Sequence, residues 1–235
     1  MKAMLNIMVF SGAGMSAESG IETFRDSNGL WENYRVEDVA TPQAWAKDPD
    51  LVTNFYNERR KTIIQANPND AHLGVKTLER LGEVLVITQN IDDLHERAGS
   101  SNVLHLHGNI RQAKSSGPNQ EKEYYPIDGW KLDKTTICPD GYRLRPHVVW
   151  FGEDVPSYEQ AAIELDRADI LIVIGTSLQV YPAAGLIQFA ANAQRKFIID
   201  PKADELNVPS DFIKLNAAAS KGIATVLKEL SKNRE

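Results

Sequence analysis

The chain has 235 residues, 42% of them hydrophobic and 25% charged, with a formal net charge of −6. That length suits one large domain or a main domain with a small inserted lobe, and the acidic balance argues against general nucleic-acid binding. The single cysteine, Cys138, excludes an intrachain disulfide and any multi-cysteine metal site, so a reducing, cytoplasmic compartment is the expectation.

Residues 4–10, MLNIMVF, are apolar and β-branched enough for a buried strand. The run is too short to span a bilayer, and it ends in a glycine loop followed by acidic residues, unlike an export signal. It enters Ser11-Gly12-Ala13-Gly14, with Ser16 where a helix N-cap is expected. A strand emptying through glycines into a helix start presents backbone N–H groups and a positive dipole end, which suits a phosphate. The next glycine is Gly20, so the spacing departs from G-x-G-x-x-G. Alone, the motif is a weak dinucleotide fingerprint.

Thr41-Pro42 and Asp48-Pro49 read as two helix starts, each an N-cap followed by proline. Asn67-Pro68-Asn69 breaks the second helix, and a further amphipathic helix follows. VLVIT (84–88) is a strand ending in Gln89-Asn90-Ile91-Asp92, and VLHLH (103–107) is another, ending at His107-Gly108. Residues 111–145 are polar and rich in turn residues, which suggests a peripheral lobe or long loop. PHVVWFGE (146–153) returns to strand character, and DILIVIGTS (169–177) reads as a buried parallel strand. Pro182 opens a helix, KFIIDP and FIKLN are the last strands, and 219–232 is a C-terminal helix.

Alternating strands and helices imply an α/β fold: a Rossmann-like parallel sheet with helices on both faces, plus a small inserted lobe at about 111–145 and a helical insertion at about 32–70. The whole chain, 1–235, is expected to be one catalytic domain. In such sheets ligands bind outside the carboxyl ends of the strands. Those ends carry Gly12 to Gly14, Gln89 to Asp92, His107, Gly175-Thr176-Ser177 and Asp200. Their convergence raises the dinucleotide reading. His107 is the best candidate base, since an imidazole takes a proton near neutral pH. His105 shares its face, an H-x-H spacing that also resembles a metal-ligand pair. His72, His95 and His147 read as structural.

GAGMSAESGIETFR (12–25), TQNIDDLHERAG (88–99), HLHG (105–108), VVWFGE (148–153) and GTSLQVYPAAG (175–185) together resemble the motif series of the sirtuin family, NAD-dependent protein lysine deacylases. The resemblance covers most of the chain, with 111–145 as the exception. It implies NAD+ as cofactor, acylated-lysine proteins as partners, and nicotinamide, O-acyl-ADP-ribose and free lysine as products. Gly12, Ala13, Gly14 and Ser16 are then expected at the phosphates, and Thr23, Phe24 and Arg25 at the nicotinamide side. Gln89, Asn90 and Asp92 are expected at the ribose and carboxamide pocket, and Gly175, Thr176, Ser177, Asp200 and Ala219 at the adenosine half. His107 is the implied general base, with Asn90 beside it in catalysis. Val149, Phe151 and Gly152 are implied to pair with the substrate main chain.

Two departures refine this. Sirtuins usually carry two cysteine pairs in the small lobe, whereas only Cys138 stands here; no structural zinc is expected, and the lobe is expected to hold by packing of Tyr124, Tyr125, Trp130 and Tyr142. Tyr56 and Arg59, adjacent on a helix, resemble the acid-reading pair of the class III desuccinylases and demalonylases, with Ala40 leaving room for the acyl chain. An ADP-ribosyltransferase or NAD hydrolase on the same scaffold, or a non-catalytic NAD sensor, are the alternatives. A monomer without nucleic-acid or membrane partners is expected.

Overall fold

The computed structural model describes residues 4–23 and 34–232. Phe24 and Arg25 lie outside the described residues. In chain order the described strands are β1 (Leu5–Ser11), β2 (Gly82–Thr88), β3 (Val103–His105), β4 (Gly108–Ser115), β5 (Tyr124–Pro126), β6 (Leu144–Val148), β7 (Ile170–Ile174), β8 (Arg195–Asp200) and β9 (Phe212–Asn216). The helices are α1 (Gly14–Ala17), α2 (Val36–Val39), α3 (Pro42–Lys47), α4 (Pro49–Gln65), α5 (Asp70–Thr77), α6 (Leu94–Arg97), α7 (Tyr158–Asp166) and α8 (Ala219–Lys232).

The apolar runs alternate in direction, and each direction finds its own layer. Ile7, Val9, Val84, Val86, Ile170, Ile172 and Ile174 pack with Val75 of α5 and Ile223 and Val226 of α8. Met8, Phe10, Ile87, Leu171 and Val173 pack on the other face with Ala161 and Leu165 of α7 and the 3-10 helix Ala183–Ala190. The sheet is six-stranded and all parallel, in the order β3-β2-β1-β7-β8-β9. This is the expected α/β architecture, and a parallel sheet needs both faces covered.

Both proline-marked helix starts form as the sequence dictates. Thr41 Oγ1 accepts from Ala44 N at 3.0 Å and Asp48 Oδ1 from Leu51 N at 2.9 Å, and proline follows each cap. The helices α2 to α4 bury Val39, Ala40, Val52, Phe55, Tyr56 and Ile63 against Ile110, Val148 and Trp150.

The strands β5-β4-β6 form a separate antiparallel sheet, so residues 111–145 hold more regular structure than their polarity suggests. Hydropathy misses these strands because Lys114, Ser115 and Arg145 are buried through polar pairing. The aromatic residues expected to hold this lobe are mostly peripheral: Tyr124, Trp130 and Tyr142 are exposed. Its apolar centre is Ala113, Ile127, Leu132, Cys138 and Leu144, with Tyr125 packed against them. Two polar residues of α4 latch it to the main body. Asn57 exchanges hydrogen bonds with the backbone of Leu132 (Nδ2 to O, 3.0 Å; N to Oδ1, 2.8 Å), and the buried Arg60 donates to Ile110 O at 2.6 Å and Trp130 O at 2.9 Å.

Candidate active site

Because the six strands run parallel, the carboxyl ends of β1, β2, β3, β7 and β8 share one rim. The glycine loop after β1 is stitched to the turn after β7: Gly12 N donates to Ile174 O at 3.1 Å and Gly14 N to Gly175 O at 2.8 Å. A Cβ on Gly12 would stand 2.6 Å from Thr176 Cβ, and one on Gly175 would stand 2.2 Å from Met15 N, at a φ of +64° that itself favours glycine. These glycines are therefore required by the approach of two loops, an argument independent of any ligand. The helix after them is one turn, and its N-cap is Ala13, so Ser16 is inside the helix and does not cap it. A single turn has little macrodipole to offer an anion; the loop's backbone remains.

Ser16 instead joins the ends of β1 and β2. Its Oγ donates to Asp92 Oδ2 at 2.9 Å and accepts from Asn90 Nδ2 at 3.0 Å. Asp92 Oδ1 accepts from Leu94 N at 3.1 Å. Burial raises the Asp92 pKa above the ordinary carboxylate value, against the lowering effect of these hydrogen bonds. The rim thus brings Gly12, Ala13, Gly14, Ser16, Gln89, Asn90, Asp92, Gly175, Thr176 and Ser177 to adjoining loops. Asp200 ends β8, with Oδ1 accepting from Lys202 N at 2.8 Å, and Ala219 begins α8, whose Ser220 is held by Glu18. Thr23 is half-buried at the edge of the described segment.

His107 stands in the turn between β3 and β4. Its Nδ1 lies 2.9 Å from Gln89 O. A carbonyl oxygen only accepts, so Nδ1 carries the proton and Nε2 of the neutral ring is the basic nitrogen. Burial lowers the His107 pKa, with the Gln89 carbonyl opposing, so the ring is neutral at neutral pH. His105 has the opposite electrostatics two residues away. Nδ1 faces Asn90 O at 2.9 Å and Nε2 faces Glu96 Oε1 at 2.7 Å. Burial alone lowers its pKa, but the Glu96 carboxylate and the Asn90 carbonyl together raise it. With both nitrogens turned to acceptors, His105 is a poor metal ligand, and the H-x-H reading loses its geometry.

Sequence reasoning did not find the polar chain behind this rim. Ser11 Oγ donates to Thr88 Oγ1 at 2.8 Å and lies 3.1 Å from His95 Nε2, and Thr88 Oγ1 accepts from Asn90 N at 3.0 Å. His95 meets His72 edge to face, 4.9 Å between centroids. Desolvation pushes their pKa values down to about 3 and about 4. Only their fold contacts reveal this role, since a helical histidine carries no such mark in sequence.

Tyr56 and Arg59 stand on α4. Tyr56 is buried, with Trp150 Nε1 donating to its hydroxyl at 3.1 Å, while Arg59 is half-buried. Burial lowers the Arg59 pKa, and the neighbouring Tyr56, Asp92 and Glu22 raise it in partial compensation. The VVWFGE segment departs from a full strand: β6 stops at Val148, and the chain then turns, with Gly152 at φ +91°. Val149 N donates to His107 O at 2.9 Å and Phe151 N to Ala40 O at 3.0 Å, while the Phe151 side chain is exposed. These contacts tie the segment both to the histidine turn and to the helical insertion.

The rim carries one buried donor that suits a dinucleotide oxygen. Gln89 Nε2 is buried and finds no acceptor among the described residues, although its Oε1 is 3.3 Å from Thr176 Oγ1. A buried unmatched donor costs about 1–3 kcal/mol, and a ribose or phosphate oxygen would satisfy it. For a tetrahedral metal the donors do not fit: the one cysteine turns its Sγ to Asp140 and the Tyr142 carbonyl. Among the described residues no group of three or more His, Cys, Asp or Glu could hold an ion.

Comparison with known proteins shows the family. An NAD-dependent protein deacylase of Bacteroides thetaiotaomicron is 47% identical over 231 residues, covering 97% of this chain and 98% of the relative. The structure of a Sir2 homologue in complex with NAD superposes with a TM-score of 0.86 at 38% identity, over 98% of this chain and 91% of that one. A Sir2 protein bound to deacetylated p53 peptide and 3′-O-acetyl-ADP-ribose superposes at 0.79 with 30% identity, over 97% and 94% of the two chains. The sequence model of the Sir2 family matches residues 12–182, a span that holds the glycine loop, the Gln89–Asp92 turn, His107 and the Gly175 turn, and the chain therefore belongs to the Sir2 family.

Proposed function

We propose that this protein is an NAD-dependent protein-lysine deacylase of the class III kind, one that removes succinyl and malonyl groups in preference to acetyl. The reading rests first on His107: its Nδ1–H is anchored on Gln89 O at 2.9 Å, which fixes the tautomer with Nε2 as the basic nitrogen, while burial favours the neutral ring, beside the loops that would hold a dinucleotide. Bound NAD would supply the ribose carbon that receives the acyl oxygen as nicotinamide leaves, and one water would be consumed in releasing the amine, giving O-acyl-ADP-ribose and free lysine. His107 Nε2 takes the proton of a ribose hydroxyl, a general-base step of about 10²–10⁴-fold.

Gln89, Asn90 and Asp92 orient the ribose and carboxamide. Gly12, Ala13, Gly14 and Ser16 would hold the phosphates, and Thr23, Phe24 and Arg25 would serve the nicotinamide side. Gly175, Thr176, Ser177, Asp200 and Ala219 serve the adenosine half. The substrate peptide lies along Val149, Phe151 and Gly152. Since Val149 N and Phe151 N are already bonded within the protein, it pairs with the segment's other main-chain groups.

The acidic-acyl preference rests on Tyr56 and Arg59. A guanidinium and a phenol side by side can hold a terminal carboxylate with charge-assisted hydrogen bonds of roughly 1.5–3 kcal/mol, whereas an acetyl methyl offers them nothing. We read the chain as one catalytic domain, monomeric and cytoplasmic.

Mass spectrometry of acetyl-, malonyl- and succinyl-lysine peptides, each with and without NAD, tests this. The expected result is NAD-dependent loss of the acyl group, fastest for the acidic chains, with the acyl group recovered on ADP-ribose. Nicotinamide release that needs no acylated peptide would point to ADP-ribosyl transfer or NAD hydrolysis, and intact NAD would point to a sensor.

A further inference from the structure

We propose that Trp150 is a specificity-positioning residue, whose indole N–H aims the Tyr56 phenol proton at the acyl carboxylate. The inference deepens the acidic-acyl reading above and rests on it. A phenol has one proton to donate and lone pairs to accept with; an indole N–H can only donate. Trp150 Nε1 sits 3.1 Å from Tyr56 Oη, so the bond must run from indole to phenol. The Tyr56 proton is thereby directed away from Trp150. Burial pushes the phenol pKa up to about 12, against the lowering effect of Arg59 and Trp150, so that proton is present at neutral pH. A carboxylate-ended acyl chain supplies the acceptor that a buried hydroxyl needs; an acetyl group does not.

Trp150 is itself fixed well enough to set this direction. Its backbone N donates to Glu153 Oε2 at 2.7 Å. The Arg145 guanidinium lies 3.3 Å from the indole centroid and grips Glu153 at 2.6 and 2.9 Å and Val148 O at 2.8 Å. Trp45 closes another side, 5.8 Å between ring centroids. Both Trp150 and Tyr56 are 2% exposed, so water cannot substitute for the indole donor. The motif VVWFGE thus carries a second task beyond main-chain pairing, in the one side chain that faces inward between Val149 and Phe151.

The test is Trp150→Phe in the full chain, assayed with succinyl- and acetyl-lysine peptides. The succinyl-to-acetyl ratio of kcat/KM is expected to fall about fivefold, near 1 kcal/mol at 1.4 kcal/mol per tenfold. The loss should lie in the KM for the succinyl peptide, because the distal carboxylate is held alike before and during reaction. In a Tyr56→Phe background the same substitution should leave the ratio unmoved. A ratio unchanged by Trp150→Phe in an enzyme that prefers succinyl would overturn the Trp150 role alone; so would an equal fall in the Tyr56→Phe background, the mark of a merely structural residue. A wild-type enzyme without acidic preference would overturn both this role and the reading beneath it. If Trp150→Phe does not fold, 3-benzothienylalanine at position 150 keeps the ring's size, removes the N–H, and carries the same expectations.

Discussion

The six-stranded parallel sheet and the three-stranded lobe bury their strands by different means. Strand β7 is apolar and buried at all five positions, whereas β4 and β6 bury Lys114, Arg145 and His147. Lys114 Nζ pairs with Glu121 at 2.5 Å and Arg145 with Glu153 at 2.6 Å. The sheet stabilises through removal of apolar area, at about 25 cal/mol per Å². The lobe has few apolar side chains and depends on charges that stay matched. The large core bears neutral buried His72 and His95 and an unmatched Gln89 amide at its rim, and the lobe bears one such ring, His147, whose pKa burial lowers to about 4. On the proposed reading, chemistry falls at the sheet's rim and acyl selection where Trp150 meets Tyr56, in the cluster formed by the helical insertion.

Four measurements can break or sharpen that division, beginning with the largest effect. His107→Tyr should lower kcat by about 10²–10⁴-fold while calorimetry still detects NAD binding; full activity would remove the imidazole from the rim's chemistry. Next is acid. The folded-state pKa values of His72 and His95 lie near 4 and 3, below the unfolded value of 6.5. The unfolded state therefore binds more protons, and their contribution is intact above about pH 6.5 and falls as pH drops toward 4. At about 1.4 kcal/mol per unit the two sites together lose on the order of 5 kcal/mol, and His147, lowered to about 4 by burial, steepens the same slope. Denaturant melts between pH 7 and 4.5 should show that slope, and a flat profile would mean that these rings are not held neutral.

Arg59→Met should cut desuccinylation at least about tenfold, near 1.4 kcal/mol, with deacetylation changed little. Equal losses on both acyl groups would merge the two regions that the comparison separates. Smallest is Glu121→Gln, which strands the buried Lys114 ammonium and should cost about 1 kcal/mol of stability, less in high salt. Thermal melts at low and high salt measure it, and NAD affinity should not move. A change in NAD affinity would show that the lobe's charges reach the rim.

By itself the sequence determined the layers and the rim. Continuous apolar runs such as Ile170–Ile174 call for a sheet covered on both faces, and Thr41-Pro42 and Asp48-Pro49 specify helix starts through local hydrogen bonds alone. Gly12, Gly14, Gln89, Asn90, His107 and Gly175 were legible because each stands at a strand end, and parallel strands bring those ends together. Tertiary structure alone decided the rest, because hydrogen bonds between residues far apart in the chain leave no periodicity. It moved the helix cap from Ser16 to Ala13 and turned Ser16 toward Asp92. It assigned opposite electrostatics to His105 at the end of β3 and His107 in the turn beyond it, because Glu96 stands against the first and not the second. It also folded the polar stretch after Gly108 into strands whose charges are matched across space, and set Trp150 against Tyr56, 94 residues apart in the chain.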